Sequence, residues 1–253
     1  MLQAEQIQSN LAKFYKNIEL HISEPRATKL LGLYQSQEDI LVIAPASSRA
    51  AYHNSFPGGY VDHINRVVEA SLNLLEVWEK MGGTINFTKE ELVFAAINHD
   101  LGKLGMFGKP RYVPNDSEWH VKNQGANYKP NTELPFLPVQ DNSLFILQNE
   151  GIQISVNEFI GIKIHDGLYD DANKAFLISG NSESKLRTSL PLILHQADLL
   201  ASRVEWENEW LQKVGVKSGV NKPKTISKPA AQAEAMKRVS SNNPALLNAL
   251  KNI

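Results

Sequence analysis

Between Gly58 and Gly105 the chain holds two stretches of helical apolar periodicity, and each carries side chains that resist burial unless they are paired. In the first, from about Tyr60 to Met81, Val61, Ile64, Val67, Val68, Leu72, Leu75 and Trp78 face inward, while Glu69, Glu76, Glu79 and Lys80 suit solvent. Gly82-Gly83 ends it. Thr88 with Glu91 three residues on is a capping box for the second, where Leu92, Val93, Ala95, Ala96 and Ile97 lead directly to His99-Asp100. Packing one helix on the other brings His63, near the start of the first, within reach of His99. The expected fold class is all-α.

Neutral imidazole and carboxylate together suit a borderline divalent ion such as Mn, Fe, Co, Ni or Zn. Neighbouring helix positions point about 100° apart, so His99 and Asp100 can serve one ion only if it sits over the helix end. Gly102 is expected to take the left-handed C-cap conformation, with Lys103 emerging where an ammonium could meet a phosphate oxygen. The structural alternative is a buried histidine hydrogen-bonded to the neighbouring aspartate. The chain has no cysteine, which excludes disulfides and thiolate ligands and leaves His, Asp and Glu to build any metal site.

A chain of 253 residues that is 42% hydrophobic can bury a full core. Its first segment, residues 1–43, reads as a helical extension: Ile7, Leu11, Phe14, Tyr15, Ile18 and Leu20 are spaced for a helix, Ser23-Glu24-Pro25 stops and restarts it, and Ala27 to Tyr34 continues. The run Ile40-Leu41-Val42-Ile43 is too short to decide between helix and strand, and Pro45 breaks it. Residues 44–211 form the candidate catalytic domain. Within it, periodicity disappears over 105–138, which mixes prolines with Phe107, Tyr112, Trp119, Tyr128 and Phe136 and with Lys109, Arg111, Lys122 and Lys129. A long irregular insertion directly after a candidate ligand suits a substrate lid. Rings and cations there suit a nucleotide, with Arg111, Trp119, Tyr128 and Lys129 joining Lys103 as candidate substrate-binding residues; folding the loop onto the domain is the plainer use of the same rings.

Asp141 to Glu150 reads as a helix stopped at Gly151, and Ser155 with Glu158 opens another that runs to His165. Residues 167–188 are polar and contain the turn Gly180-Asn181. Pro191 starts a last long helix to about Leu211, on which His195 and Asp198 share one face. Asp198 among Ala197, Leu199, Leu200 and Ala201 is costly to bury unless paired or metal-bound, which makes it the fourth ligand candidate, with an ion pair to Arg203 as the alternative.

The net charge of −1 excludes an overall electrostatic grip on nucleic acid. It is unevenly spread: from Leu211 to Ile253, eight cations against Glu234 give +7, which leaves −8 for the rest. Residues 212–253 read as a flexible basic tail with a short terminal helix carrying Leu246, Leu247 and Leu250, a segment able to contact a polyanion such as RNA or DNA. No run approaches a membrane span and the first residues lack a signal peptide's pattern, so a soluble, cytoplasmic protein is expected.

With His63, His99-Asp100 and Asp198 in this order, the chain resembles the HD-domain superfamily of metal-dependent phosphohydrolases. The likeness is nearest to the branch that includes the HD domain of certain bacterial 3′-to-5′ exoribonucleases. Ala44-Pro45-Ala46, His53, Gly58-Gly59 and His63 follow that branch's approach to the first ligand; His99-Asp100-Leu101-Gly102-Lys103 follows its centre, and His195-Gln196-Ala197-Asp198 its closing helix. His165-Asp166-Gly167 stands where the branch has a His-His-Gly element. The resemblance implies a helical bundle with one divalent transition metal on His63, His99, Asp100 and Asp198. It implies catalytic roles for Asp100, Lys103, His165 and His195, and hydrolysis of a phosphate ester of a nucleotide or a short nucleic acid. The alternatives are an exonuclease or other phosphodiesterase, and a non-catalytic module that senses a nucleotide or binds a partner. Near Leu137 to Asp141 the His used by dinuclear members is missing, which points to one ion rather than two.

Overall fold

The described residues are mostly helical, as expected, and their elements follow from local signals that the sequence carries openly. A computed structural model describes residues 2–183 and 185–208. It runs through α1 (Ala4–His21), α2 (Arg26–Gln35), α3 (Glu38–Ile43), α4 (Gly59–Lys80) and α5 (Lys89–Asn98) to a 3-10 turn at Leu101–Leu104. Strand β1 (Tyr112–Pro114), α6 (Glu118–Gln124) and β2 (Tyr128–Pro130) follow, then α7 (Val139–Asn149), α8 (Val156–Lys163), the four-residue α9 (Lys174–Leu177) and α10 (Leu190–Trp206). Thr88 accepts from the Glu91 amide at 3.1 Å while the Glu91 carboxylate accepts from the Thr88 amide at 2.7 Å, so the capping box opens α5. Ser155 and Glu158 do the same for α8, at 3.2 and 2.7 Å. Each such cap contributes about 0.5–2 kcal/mol.

One core joins the described helices. Phe14 and Ile18 of α1, Leu30 and Tyr34 of α2, Ile64 and Val67 of α4, Leu92 and Ile97 of α5, Leu147 of α7, Ile162 of α8, and Ile193 and Leu194 of α10 are all buried in it. Helix α4 lies at its centre, against α1, α5 and α10. The N-terminal helices are tied in by charge as well. Arg26 donates to both carboxylate oxygens of buried Glu158 at 2.8 and 2.9 Å and to Glu90 at 2.5 Å, with its guanidinium 4.2 Å from the centre of the Phe94 ring.

Several elements differ from expectation for identifiable reasons. The undecided run at 38–43 is helical, and buried Ile40 and Leu41 dock it on the core. Helix α5 ends at Asn98, so His99 caps it and Asp100 opens the 3-10 turn. Gly102 does not take a positive φ; the glycine that does is Gly105, which ends the 3-10 turn at φ 101° and ψ −153°. Gly102 is small because a Cβ there would overlap the Val139 carbonyl oxygen and lie 2.9 Å from Asn142 Cβ, both on α7. The insertion at 105–138 is not wholly irregular either, since β1 and β2 pair antiparallel, Tyr112 opposite Pro130, with α6 between them. Helix α8 stops at Lys163, two residues short of His165, and the polar stretch after it contains short 3-10 turns and α9. No described helix is long and apolar enough to cross a membrane. The basic tail, its terminal helix and the expected end of the last helix at Leu211 lie outside the described residues.

Candidate metal centre

Four elements meet at one point. His63 comes from the second turn of α4, His99 and Asp100 from the corner that ends α5, His165 from the end of α8, and Asp198 from the middle of α10. The corner is held by α7: Ser143 Oγ accepts from the Gly102 amide at 2.8 Å and donates to the His99 carbonyl at 3.1 Å, and Asn142 Nδ2 donates to the Gly102 carbonyl at 2.9 Å. The close approach of α7 that these bonds need is what a side chain at position 102 would block.

His63 Nε2 lies 3.2 Å from Asp198 Oδ1 and 3.6 Å from Asp100 Oδ2; His99 Nε2 lies 3.4 Å from Asp100 Oδ2 and 3.9 Å from Asp198 Oδ1. His165 Nε2 lies 3.6 Å from the other oxygen of Asp100. Donor atoms about 2.0–2.2 Å from a tetrahedral ion stand about 3.3–3.6 Å from one another, a range that the three spacings to Asp100 meet and that the two to Asp198 straddle. The potential donors form two overlapping triads, His63–His99–Asp198 and His99–Asp100–His165, with the atoms of each within 4.8 Å of one another.

The far side of each imidazole is anchored. His99 Nδ1 bonds the Ala96 carbonyl and His165 Nδ1 the Ile162 carbonyl, both at 2.8 Å, and His63 Nδ1 bonds Glu205 Oε2 at 3.1 Å. With Nδ1–H donating, Nε2 is the nitrogen that faces inward, where it can give its lone pair to an ion that displaces its proton, as metal-binding histidines do. Among the described residues six buried polar side-chain atoms lack a hydrogen-bond partner, and three of them are His63 Nε2, His99 Nε2 and Asp100 Oδ1. The 3.2 Å approach of His63 Nε2 to Asp198 is close but out of line for a hydrogen bond, so charge and not a shared proton links the two. Unpaired buried polar atoms cost about 1–3 kcal/mol each. Three in one place fit a divalent transition metal, as does the donor set of imidazole and carboxylate.

Electrostatics point the same way. Burial alone would depress His63, but the charge of Glu205 and the nearness of Asp198 lift it to about 10. His165 is raised to about 9 against burial by Asp100 and Asp166. Burial would lift Asp100, yet Lys103, whose Nζ is 2.6 Å from Oδ2, and His99 hold it well below the usual carboxylate range. Asp198 is likewise held low, against burial, by His63 and His99. A cluster that holds Asp100 and Asp198 ionised and favours a proton on His63 is one in which a cation can replace that proton.

Through Asp100 and Asp198 the centre borders a cavity of about 720 Å³, within the range of small-molecule sites, while His63 and His99 lie buried behind them. Asp100, Lys103, His165, His195 and Asp198 line it. His195 is fixed there by Nδ1, which bonds the His165 carbonyl at 2.7 Å, and by Gly167, where a Cβ would run into the His195 ring. Of the candidate substrate-binding residues only Lys103 reaches this cavity. Arg111 donates to the Leu137 carbonyl at 3.0 Å, Lys129 pairs with Asp116 at 2.7 Å, Trp119 is exposed beside His120, and Tyr128 lines a separate hollow. The rings and cation that do line the cavity are Tyr52, Tyr112, Tyr169, Trp206 and Arg203. Glu205 was also missed, although a spacing of seven from Asp198 places it on the same helix face. Set against protein-family models, curated proteins and solved structures, the chain matches none of them.

Proposed function

We propose that this chain is a metal-dependent phosphohydrolase of the HD-domain type, acting on a phosphate ester of a nucleotide. The observation that carries the reading is the convergence of His63 Nε2, His99 Nε2 and Asp100 Oδ1, buried and unpaired, with Asp100 also lining a cavity that holds Lys103, His165, His195 and Asp198. His63, His99, Asp100 and Asp198 would hold one ion. When bound, it lowers the pKa of a water and polarises the phosphoryl group.

The protein's own groups supply the rest. Lys103 fixes Asp100 and offers positive charge to a nonbridging oxygen. His165, raised to about 9, carries a proton on Nε2 at neutral pH and can donate it as a hydrogen bond to a phosphate or leaving oxygen. His195, held through Nδ1, presents Nε2 to the same space. Tyr52, Tyr112 and Tyr169 offer faces on which a base can stack, and Arg203, held 3.3 Å from the Tyr169 hydroxyl, adds a cation at their side.

A second reading, with two ions, is favoured by one observation: Asp100 Oδ1 is unpaired and 3.6 Å from His165 Nε2, which is anchored as a ligand would be. Metal content separates the two readings, at one or two ions per chain. The function itself is tested by phosphate release from a panel of nucleotides and short oligonucleotides with Mn, Co or Ni. Wild type is expected to turn over at least one of them and the folded Asp100→Ala variant none; equal rates in both would remove the assignment.

A further inference from the structure

We propose that Glu205 is the positioning residue for the His63 ligand, an inference that rests on the metal reading above. Glu205 lies in the last turn of α10 and its side chain is 1% exposed. Its Oε2 accepts from His53 Nδ1 at 2.7 Å and from His63 Nδ1 at 3.1 Å, while Oε1 accepts from Arg66 Nε at 3.0 Å. A buried carboxylate is costly unless paired and hydrogen-bonded, and here three donors from the α4 side of the site converge on one.

His63 needs this partner in a way that its neighbours do not. His99 and His165 stand just past helix ends, where main-chain carbonyls have no intrahelical donor, so each finds its anchor three residues back in its own chain. His63 sits inside α4, where those carbonyls are consumed by the helix ladder. Its Nδ1 proton must therefore go to another element, and Glu205 is the group that α10 delivers. The bond selects the tautomer with the Nε2 lone pair facing Asp100 and Asp198, and the negative charge raises the basicity of that lone pair. Arg66, one turn beyond His63, pairs with the other oxygen, while His53 shares Oε2 with His63 and keeps that oxygen in place. Because Glu205 is seven residues beyond Asp198, one face of α10 supplies both a ligand and the anchor of the ligand opposite.

A purely structural role, an ion pair between α4 and α10 through Arg66, predicts something different. The full-length protein, stripped of metal, is titrated with Co(II) and followed by calorimetry and by the visible d–d spectrum. Glu205→Gln should keep the volume and the fold but bind cobalt about 10- to 100-fold more weakly, with an altered d–d band. Glu205→Asp, which keeps the charge and shortens the reach, should fall between the two. Arg66→Met removes the interhelical ion pair but leaves the His63 bond, and should stay within about threefold of wild type. Wild-type affinity and spectrum in folded Glu205→Gln would overturn the proposal, and so would an equal loss in Arg66→Met. If wild type takes up no cobalt, the metal reading fails and Glu205's role falls with it. Should Glu205→Gln not fold, the zinc-loaded wild-type protein still decides: ¹⁵N NMR is expected to show the His63 proton on Nδ1, and an unprotonated Nδ1 would overturn the assignment.

Discussion

Metal loading should change the stability of the fold by an amount that the centre itself sets. His63 Nε2, His99 Nε2 and Asp100 Oδ1 are buried without partners, at about 1–3 kcal/mol each, so the potential relief is about 3–9 kcal/mol. Linkage gives an independent figure: a ligand present at a thousandfold excess over its Kd stabilises the folded state by about 4.1 kcal/mol. At about 2–4 °C per kcal/mol for a domain of this size, the melting temperature should rise by about 8–16 °C. Differential scanning calorimetry in chelator and then in saturating Mn, Co or Zn measures this directly, with His99→Ala as the control that removes one ligand. A rise below about 2 °C in wild type would refute the reasoning. An equal rise in His99→Ala would place the binding elsewhere.

Three further outcomes follow from named contacts. His63 and His165 are raised from 6.5 to about 10 and about 9, so the stability they contribute is complete below pH 6.5 and is lost as pH climbs through those values. In chelator the melting temperature should thus fall across that window, while the increment from metal, which must expel the His63 proton, should grow; melts at a series of pH values would show a flat increment if His63 is not a ligand. Arg26→Met strips the partner from buried Glu158, whose pKa burial already pushes up, and should cost about 3–5 kcal/mol in urea unfolding; less than about 1 kcal/mol would mean that the cluster is solvated. Gly102→Ala drives a methyl group into the Val139 carbonyl and should cost about 1–3 kcal/mol and weaken metal uptake, and a crystal structure with α7 unmoved would contradict that account.

The helices on either side of the centre were legible because their signals are local. Thr88-Glu91 and Ser155-Glu158 form the capping boxes that their spacing announces, and the inward positions of α4 from Val61 to Val68 are those that the 3.6-residue period selects. The approach of His63, His99, Asp100 and Asp198 to one another could be anticipated for a similar reason, since His99-Asp100 closes an apolar helix and Asp198 stands among apolar neighbours. The insertion was not legible. Strands of three residues carry too little period to show that Tyr112 faces the cavity while Tyr128, on the paired strand, does not. Gly102 misled for a related reason: a glycine after a helix end usually marks a left-handed cap, and only the position of α7 shows that closeness, not φ, is what excludes a side chain.

What the sequence hides most completely is how far the centre depends on α10. Pro191 in its first turn and buried Ile193, Leu194, Ala197 and Ala201 seat this helix against α4, α5 and α8. The two buried alanines, one turn apart, are small where α10 meets the core, and along the same helix Asp198 comes within 3.2 Å of His63 while Glu205 reaches the back of the same imidazole from two turns on. Two carboxylates of α10 therefore face a single histidine of α4, Glu205 bonded to its Nδ1 and Asp198 beside its Nε2. The apolar face fixes how far away they stand. Displacement of α10 would move a ligand and the anchor of the opposing ligand together, so the order of the centre and the packing of the last helix on the core are one structural variable rather than two.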